Sequence, residues 1–203
     1  MFKIFLKLPL FIVFLTISSI LKADPYSLAN ISQYLQNLKI LKADFSQTNP
    51  DGTISTGTIL IKRPGRMRFE YNKPDKTLVL VSAGALAIFD PKGDEKPITY
   101  PIKNNPISLI LKGEVDLLNS GIVAKYKVSA EKAVLTIRDP KKPQRGSVEL
   151  VFVGTKPELE KFTIKNENGS STSISLRDIE YPNKLNETLF SIALETSKRQ
   201  RKD

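Results

Sequence analysis

Apolar and polar residues alternate with a period of two along most of this chain, and that pattern confines the fold to half-buried antiparallel strands. In residues 66–72, Met67, Phe69 and Tyr71 fall on one side, and Arg66, Arg68, Glu70 and Asn72 fall on the other. Ile122, Ala124, Tyr126 and Val128 alternate likewise, as do Ala133, Leu135 and Ile137, and then Val148, Leu150 and Phe152. Turn residues separate the runs: Asn49-Pro50-Asp51-Gly52, Lys73-Pro74-Asp75, Asp90-Pro91-Lys92-Gly93, Asp139-Pro140 and Asn168-Gly169. The spacing predicts ten or eleven short strands in a single antiparallel barrel or strongly bent sheet. No repeat or linker marks a domain boundary.

Two segments break the pattern. Leu28, Ile31, Leu35 and Leu38 lie on one face of a helix predicted over residues 25–39. A second helix is predicted over residues 105–113, with Asn105 as its cap, Pro106 at its first position and Gly113 at its stop. Ile107, Ile110 and Leu111 form its apolar edge, and it would plug the open end of the sheet.

Several strands are apolar on both faces: Ile59-Leu60-Ile61, Leu78-Val79-Leu80-Val81, and the run holding Leu86, Ile88 and Phe89. Both faces then need covering, by helices, by the sheet's own side chains or by a ligand. An ordinary filled core satisfies this. So does an aliphatic hollow, which suits acyl chains and lacks the aromatic platforms that bases and sugars use.

Composition excludes much chemistry. The 203 residues contain no His and no Cys. Nucleophile–histidine pairs, thiolate chemistry, disulfides and the usual zinc or haem ligand sets are therefore unavailable. There is no phosphate-binding glycine loop, and the acids are scattered among Lys and Arg on outward positions.

The ends carry most of the formal charge of +10, because residues 1–23 hold three lysines and no acid, while the last six residues hold four bases and one acid. Residues 1–23 have a basic start, an apolar run from Leu8 to Leu21 and a small residue at Ala23, the layout of a cleaved secretory signal peptide. The run is shorter than the ~20 residues that a membrane-spanning helix needs. The expected organisation is a signal peptide over 1–23, a single domain over 24–197, and a basic, disordered tail over 198–203. The tail is a solvated terminus or a contact for anionic lipid. The nearly balanced body lacks a basic stripe interleaved with aromatics, so nucleic acid is not expected as a partner.

Five groups of residues follow one another along the chain: Ala43-Asp44-Phe45-Ser46-Gln47; Gly57-Thr58-Ile59-Leu60-Ile61-Lys62-Arg63-Pro64-Gly65; Arg68-Phe69-Glu70-Tyr71 with Pro74; Phe89-Asp90-Pro91; and Asn105 to Leu111, with Leu189-Phe190 closing the chain. In order and spacing this resembles the periplasmic outer-membrane lipoprotein carrier family, LolA. One departure is the end: the family continues after its Leu-Phe to a Pro-Gly turn and a last strand, whereas here residues 191–197 run into the basic tail.

The resemblance implies a mainly β fold with α elements, an incomplete, strongly curved antiparallel β-barrel of about eleven strands under a helical lid. It implies a periplasmic, monomeric carrier with no enzymatic activity, cofactor or metal. Triacylated lipoproteins would be taken from an inner-membrane ABC-type exporter and delivered to an outer-membrane acceptor or to the outer membrane itself. The other reading is a carrier or sensor of another lipid or glycolipid. By this resemblance Arg63, with Pro64 beside it, is the latch that bonds the lid when closed. Leu35, Leu38, Ile107, Ile110 and Leu111 are lid residues facing the hollow, and Ile59, Ile61, Met67, Phe69, Leu80 and Phe89 are wall candidates. Burial of acyl chains yields about 0.8 kcal/mol per methylene, so an unfuelled carrier needs a lid that competes with its cargo.

Overall fold

The computed structural model describes residues 25–93 and 96–201. The signal-peptide assignment for residues 1–23 and the last two residues of the basic tail lie outside that range.

Eleven strands form one antiparallel sheet. Helix α1 (Leu28–Asn37) is followed by a meander of β1 (Ile40–Thr48), β2 (Ile54–Lys62), β3 (Arg66–Tyr71), β4 (Leu78–Ser82), β5 (Ala85–Phe89) and β6 (Ile98–Pro101). A second meander holds β7 (Val123–Val128), β8 (Lys132–Ile137), β9 (Gly146–Val153), β10 (Glu158–Asn166) and β11 (Ser171–Glu180). Pairing of β1 with β11 joins the two, giving the order β6-β5-β4-β3-β2-β1-β11-β10-β9-β8-β7. The edges are therefore β6 and β7, and the chain between them, residues 102–122, is long enough to close over the sheet.

The alternation decides which face is core. Leu41, Ala43 and Phe45 stand opposite Ile61, Ile59 and Gly57, and Ile59 and Ile61 stand opposite Phe69 and Met67. These residues join Leu135, Leu150, Phe152, Phe162 and Leu176 in one cluster with α1 and the 102–122 connection, so the sheet curls round them. On this face Phe45 packs edge-on against Phe69 and Tyr71, with ring centroids 5.2 and 5.0 Å away. Gly57 makes room for this group: a Cβ there would clash with the Glu70 carbonyl and come within 2.8 Å of the Phe45 ring.

α1 forms where its face was expected. Ser27 caps it by accepting the Asn30 N–H at 3.2 Å, and Ile31 and Leu35 are buried. The second expected helix is different. In place of a helix over 105–113 there is a 3-10 turn over Pro106–Leu109, capped by Asn105, whose side chain accepts the Ile107 N–H at 3.0 Å. Ile107, Leu109, Ile110 and Leu111 are all buried, and on a helix they would spread over more than half of its circumference, leaving only Ser108 and Lys112 towards solvent. Its later carbonyls are also engaged elsewhere: Leu111 accepts from the Gly65 N–H at 2.8 Å.

A second, smaller cluster lies on the opposite face of the sheet. Leu78, Leu80, Ala87 and Phe89 are buried there, with Ile192 packed on them. The cover is the chain after β11, made of a 3-10 turn (Glu187–Phe190) and helix α2 (Ile192–Arg199). α2 stands where the family's final strand was in question, and it takes in Lys198 and Arg199, the first two residues of the segment expected to be disordered. The Arg199 guanidinium lies 4.9 Å from the centroid of Phe89.

Candidate functional site

The feature that links the 102–122 connection, α1 and the sheet is Arg63. It follows the end of β2 and is 5% exposed. The Lys39 carbonyl accepts the Arg63 N–H at 2.8 Å, which continues the ladder to β1 and fixes the start of the side chain. The guanidinium then donates only to backbone carbonyls among the described residues. Nη1 donates to Leu38 at 3.1 Å and to Leu35, while Nε donates to Lys112 at 2.6 Å and Nη2 to Gly113 at 3.3 Å. Leu35 lies in the last turn of α1 and Leu38 is its C-cap, where carbonyls lack intrahelical donors and the helix dipole favours a cation. One side chain thus ties the foot of α1 to the 102–122 connection.

Burial lowers the Arg63 pKa, because desolvation disfavours the charged form. The group remains a cation all the same, since arginine titrates far above neutrality. The Arg63–Pro64 peptide is cis, and Pro64 is exposed beside the turn into β3.

The other candidates divide by face. Leu35, Leu38, Ile107, Ile110 and Leu111 come together with Ile59, Ile61, Met67 and Phe69 in the main cluster, under the lid segment. Leu80 and Phe89 do not: they are buried in the cluster on the opposite face, against the C-terminal cover, apart from the other wall candidates. The cause is parity. Met67 and Phe69 stand opposite Val81 and Val79, so these two valines share the concave face and Leu80 points away. A run such as Leu78-Val79-Leu80-Val81 is apolar at every position and carries no parity signal. Only the cover supplied by residues 187–199 explains why both sides are apolar.

Backbone carbonyls were expected to hold Arg63, but which ones was not legible: those of Lys112 and Gly113 carry no side-chain signal, and Leu109 and Val115, both buried within the 102–122 connection, lack a period that would flag them. Ser32 was also missed. It is buried on α1 and accepts the Leu117 N–H at 3.4 Å, a second tie between helix and connection.

The family model described as outer membrane lipoprotein carrier protein LolA matches residues 36–193, which include both strand meanders, Arg63 and the lid segment. The chain belongs to the LolA family. Among relatives, an outer-membrane lipoprotein carrier protein of Dechloromonas aromatica is 31% identical over 160 residues, 74% of this chain and 75% of its own length. One of Coxiella burnetii is 27% identical over 185 residues, 86% of each chain. A LolA superfamily protein of known structure from Nitrosomonas europaea aligns over 80% of this chain and 96% of its own, with a TM-score of 0.42 and 11% identity. The match to the LolA family takes in the closing Leu189-Phe190 and ends at residue 193, inside α2, so the basic end of this chain lies beyond it.

Proposed function

We propose that this protein is a non-enzymatic periplasmic carrier. It shelters the acyl chains of lipoproteins between the concave face of the sheet and the 102–122 lid, receives them from an inner-membrane exporter, and surrenders them at the outer membrane. Membership of the LolA family and the names of its relatives support the carrier role. The observation that carries the mechanism is Arg63, a buried cation held by four backbone carbonyls on two separate elements.

The energetics suit reversible closure. Burying a charge costs several kcal/mol, and each hydrogen bond from a charged donor returns about 1.5–3 kcal/mol. Four such bonds roughly balance the burial, so the closed state is held without being deep. With the lid down, Ile107 and Leu111 occupy the space an acyl chain would fill. Cargo therefore displaces the lid, and Arg63 exchanges its carbonyls for water or cargo polar groups. On release the lid's own apolar residues take the face back. The competition replaces fuel, because the cost of emptying the hollow is offset by lid packing.

The test is to mix the purified protein with a triacylated lipoprotein and resolve the products by gel filtration, with mass spectrometry of what co-purifies from its own periplasm. A soluble complex with the lipoprotein, transferable to membranes, is expected. Co-purification of free phospholipid alone, with no lipoprotein complex, would replace this reading with a carrier of another lipid.

A further inference from the structure

On the outer side of the latch, at the foot of α1, lies a groove of about 650 Å³. Tyr34, Leu38, Ile40, Pro157, Tyr181 and Pro182 form most of its wall. Leu38 belongs to both places: it lines the groove, and its carbonyl accepts from Arg63. The groove therefore opens at the seam where the lid meets α1.

The floor is an unfinished strand ladder. The Arg63 N–H bonds the Lys39 carbonyl, so Lys39 and Leu41 aim their backbone groups at β2, and Ile40 aims its own at the β11 side. There the last pair is Lys42 with Glu180. Continued by one more step, that register sets Ile40 opposite Pro182, which has no N–H to give and turns the chain out of the sheet. The groove's side is held firmly. The Leu159 N–H donates to the Tyr34 hydroxyl at 3.3 Å, Tyr34 and Tyr181 hydroxyls lie 3.1 Å apart, and Tyr181 donates to Glu158 at 2.9 Å. Two aromatic rings and two prolines thus flank the N–H and C=O of Ile40, which face away from β2.

We infer that this groove binds the extended polypeptide that follows the acylated residue of a lipoprotein cargo, by adding it as a short strand beside Ile40. The inference rests on the carrier reading above. Chains held under the lid leave their polypeptide outside it, and Leu38 to Ile40 lie at the seam where the lid and α1 meet. An open ladder edge recognises main chain of any sequence, and the flanking rings and prolines accept alternate side chains. That fits a carrier of many lipoproteins. A lipid tail would gain nothing from the backbone groups of Ile40. Because the same α1 turn bears the carbonyls held by Arg63, a seated peptide strains the latch from outside.

The experiment compares two probes by competition: a triacylated cysteine followed by about eight residues of extended peptide, and the triacylated cysteine alone. The parent protein is expected to prefer the first by about tenfold. Ile40→Pro removes the outward N–H and spares the β1–β2 ladder, and it should abolish the preference while binding of the acylated cysteine stays unchanged. Hydrogen exchange of the parent supplies an independent reading, with the Ile40 amide slowed by the peptide-bearing probe alone. Equal binding of both probes with no such protection overturns the inference and leaves the carrier reading standing. Binding of neither probe overturns both. A concentration-dependent dimer abolished by Ile40→Pro would give the groove to a second copy of the chain, and would also overturn the inference.

Discussion

Arg63 and Leu38 stand on separate elements, and the guanidinium of one donates to the carbonyl of the other at 3.1 Å. That bond joins the end of β2 to the foot of α1, and the same guanidinium reaches Lys112 and Gly113 in the lid. One side chain thus joins three parts of the fold through acceptors that are all backbone.

Arg63→Leu should loosen the lid without unfolding the sheet. Amide exchange across residues 111–113 and the last turn of α1 is expected to accelerate by about tenfold or more, as bonds from a charged donor are lost. Lipoprotein should bind more tightly and pass to acceptor membranes more slowly. Release at the parental rate would remove Arg63 from the mechanism. Arg63→Lys, a point charge without the planar fork, should fall between the two.

Ile107→Ala should weaken the lid by cavity formation. Ile107 is buried in the main cluster, and truncations of this kind cost about 2–5 kcal/mol. Denaturant unfolding measures the loss, and faster exchange confined to the lid would show that the segment opens ahead of the sheet.

Gly57→Ala should destabilise the sheet as a whole. The new methyl would meet the Glu70 carbonyl and the Phe45 ring, and overpacking of this sort costs about 1–3 kcal/mol. Thermal unfolding of the empty protein is the measurement, and an unchanged midpoint would contradict the close packing at this position.

Arg199→Ala tests whether the chain end belongs to the fold. Arg199 lies over Phe89 and pairs with Glu195 at 3.4 Å, a combination worth about 0.5–1 kcal/mol at a partly exposed site. A loss of that order is expected in chemical denaturation, whereas a disordered tail would give none.

Acid should loosen the C-terminal cover. Glu187 bonds Lys62 and also Arg66, and these partners hold its carboxyl below the ordinary value of 4.5. A depressed folded pKa contributes stability that is present above the unfolded value and is lost as pH falls through the folded one. Exchange protection of the α2 amides should therefore drop below about pH 4.5. Glu187→Gln should lack that step.

Strand content and the position of α1 were legible in the chain, because alternation and the turn residues report local burial directly. Met67 and Phe69 could be assigned to the core face from their polar neighbours Arg66, Arg68 and Glu70. Leu80 and Phe89 could not, since the strand residues beside them, Val79, Val81 and Ile88, are apolar as well and the deciding contact, with residues 187–199, lies about a hundred positions away. The segment after Asn105 read as a helix from its cap and proline, yet the burial of Ile107, Leu109, Ile110 and Leu111 and tertiary use of its carbonyls stop it after one 3-10 turn.

The linear chain by itself determined that this protein is a curled antiparallel sheet without nucleophile–histidine or thiolate chemistry, since period-two patterning and the lack of His and Cys are local properties. Tertiary structure alone decided where Arg63 goes. A base after a strand is ordinarily solvated, and only the convergence of α1 and residues 112–113 on one point supplies the carbonyls that make its burial tolerable. Such a site is assembled from backbone groups brought together across the fold, and backbone groups are the same in every sequence.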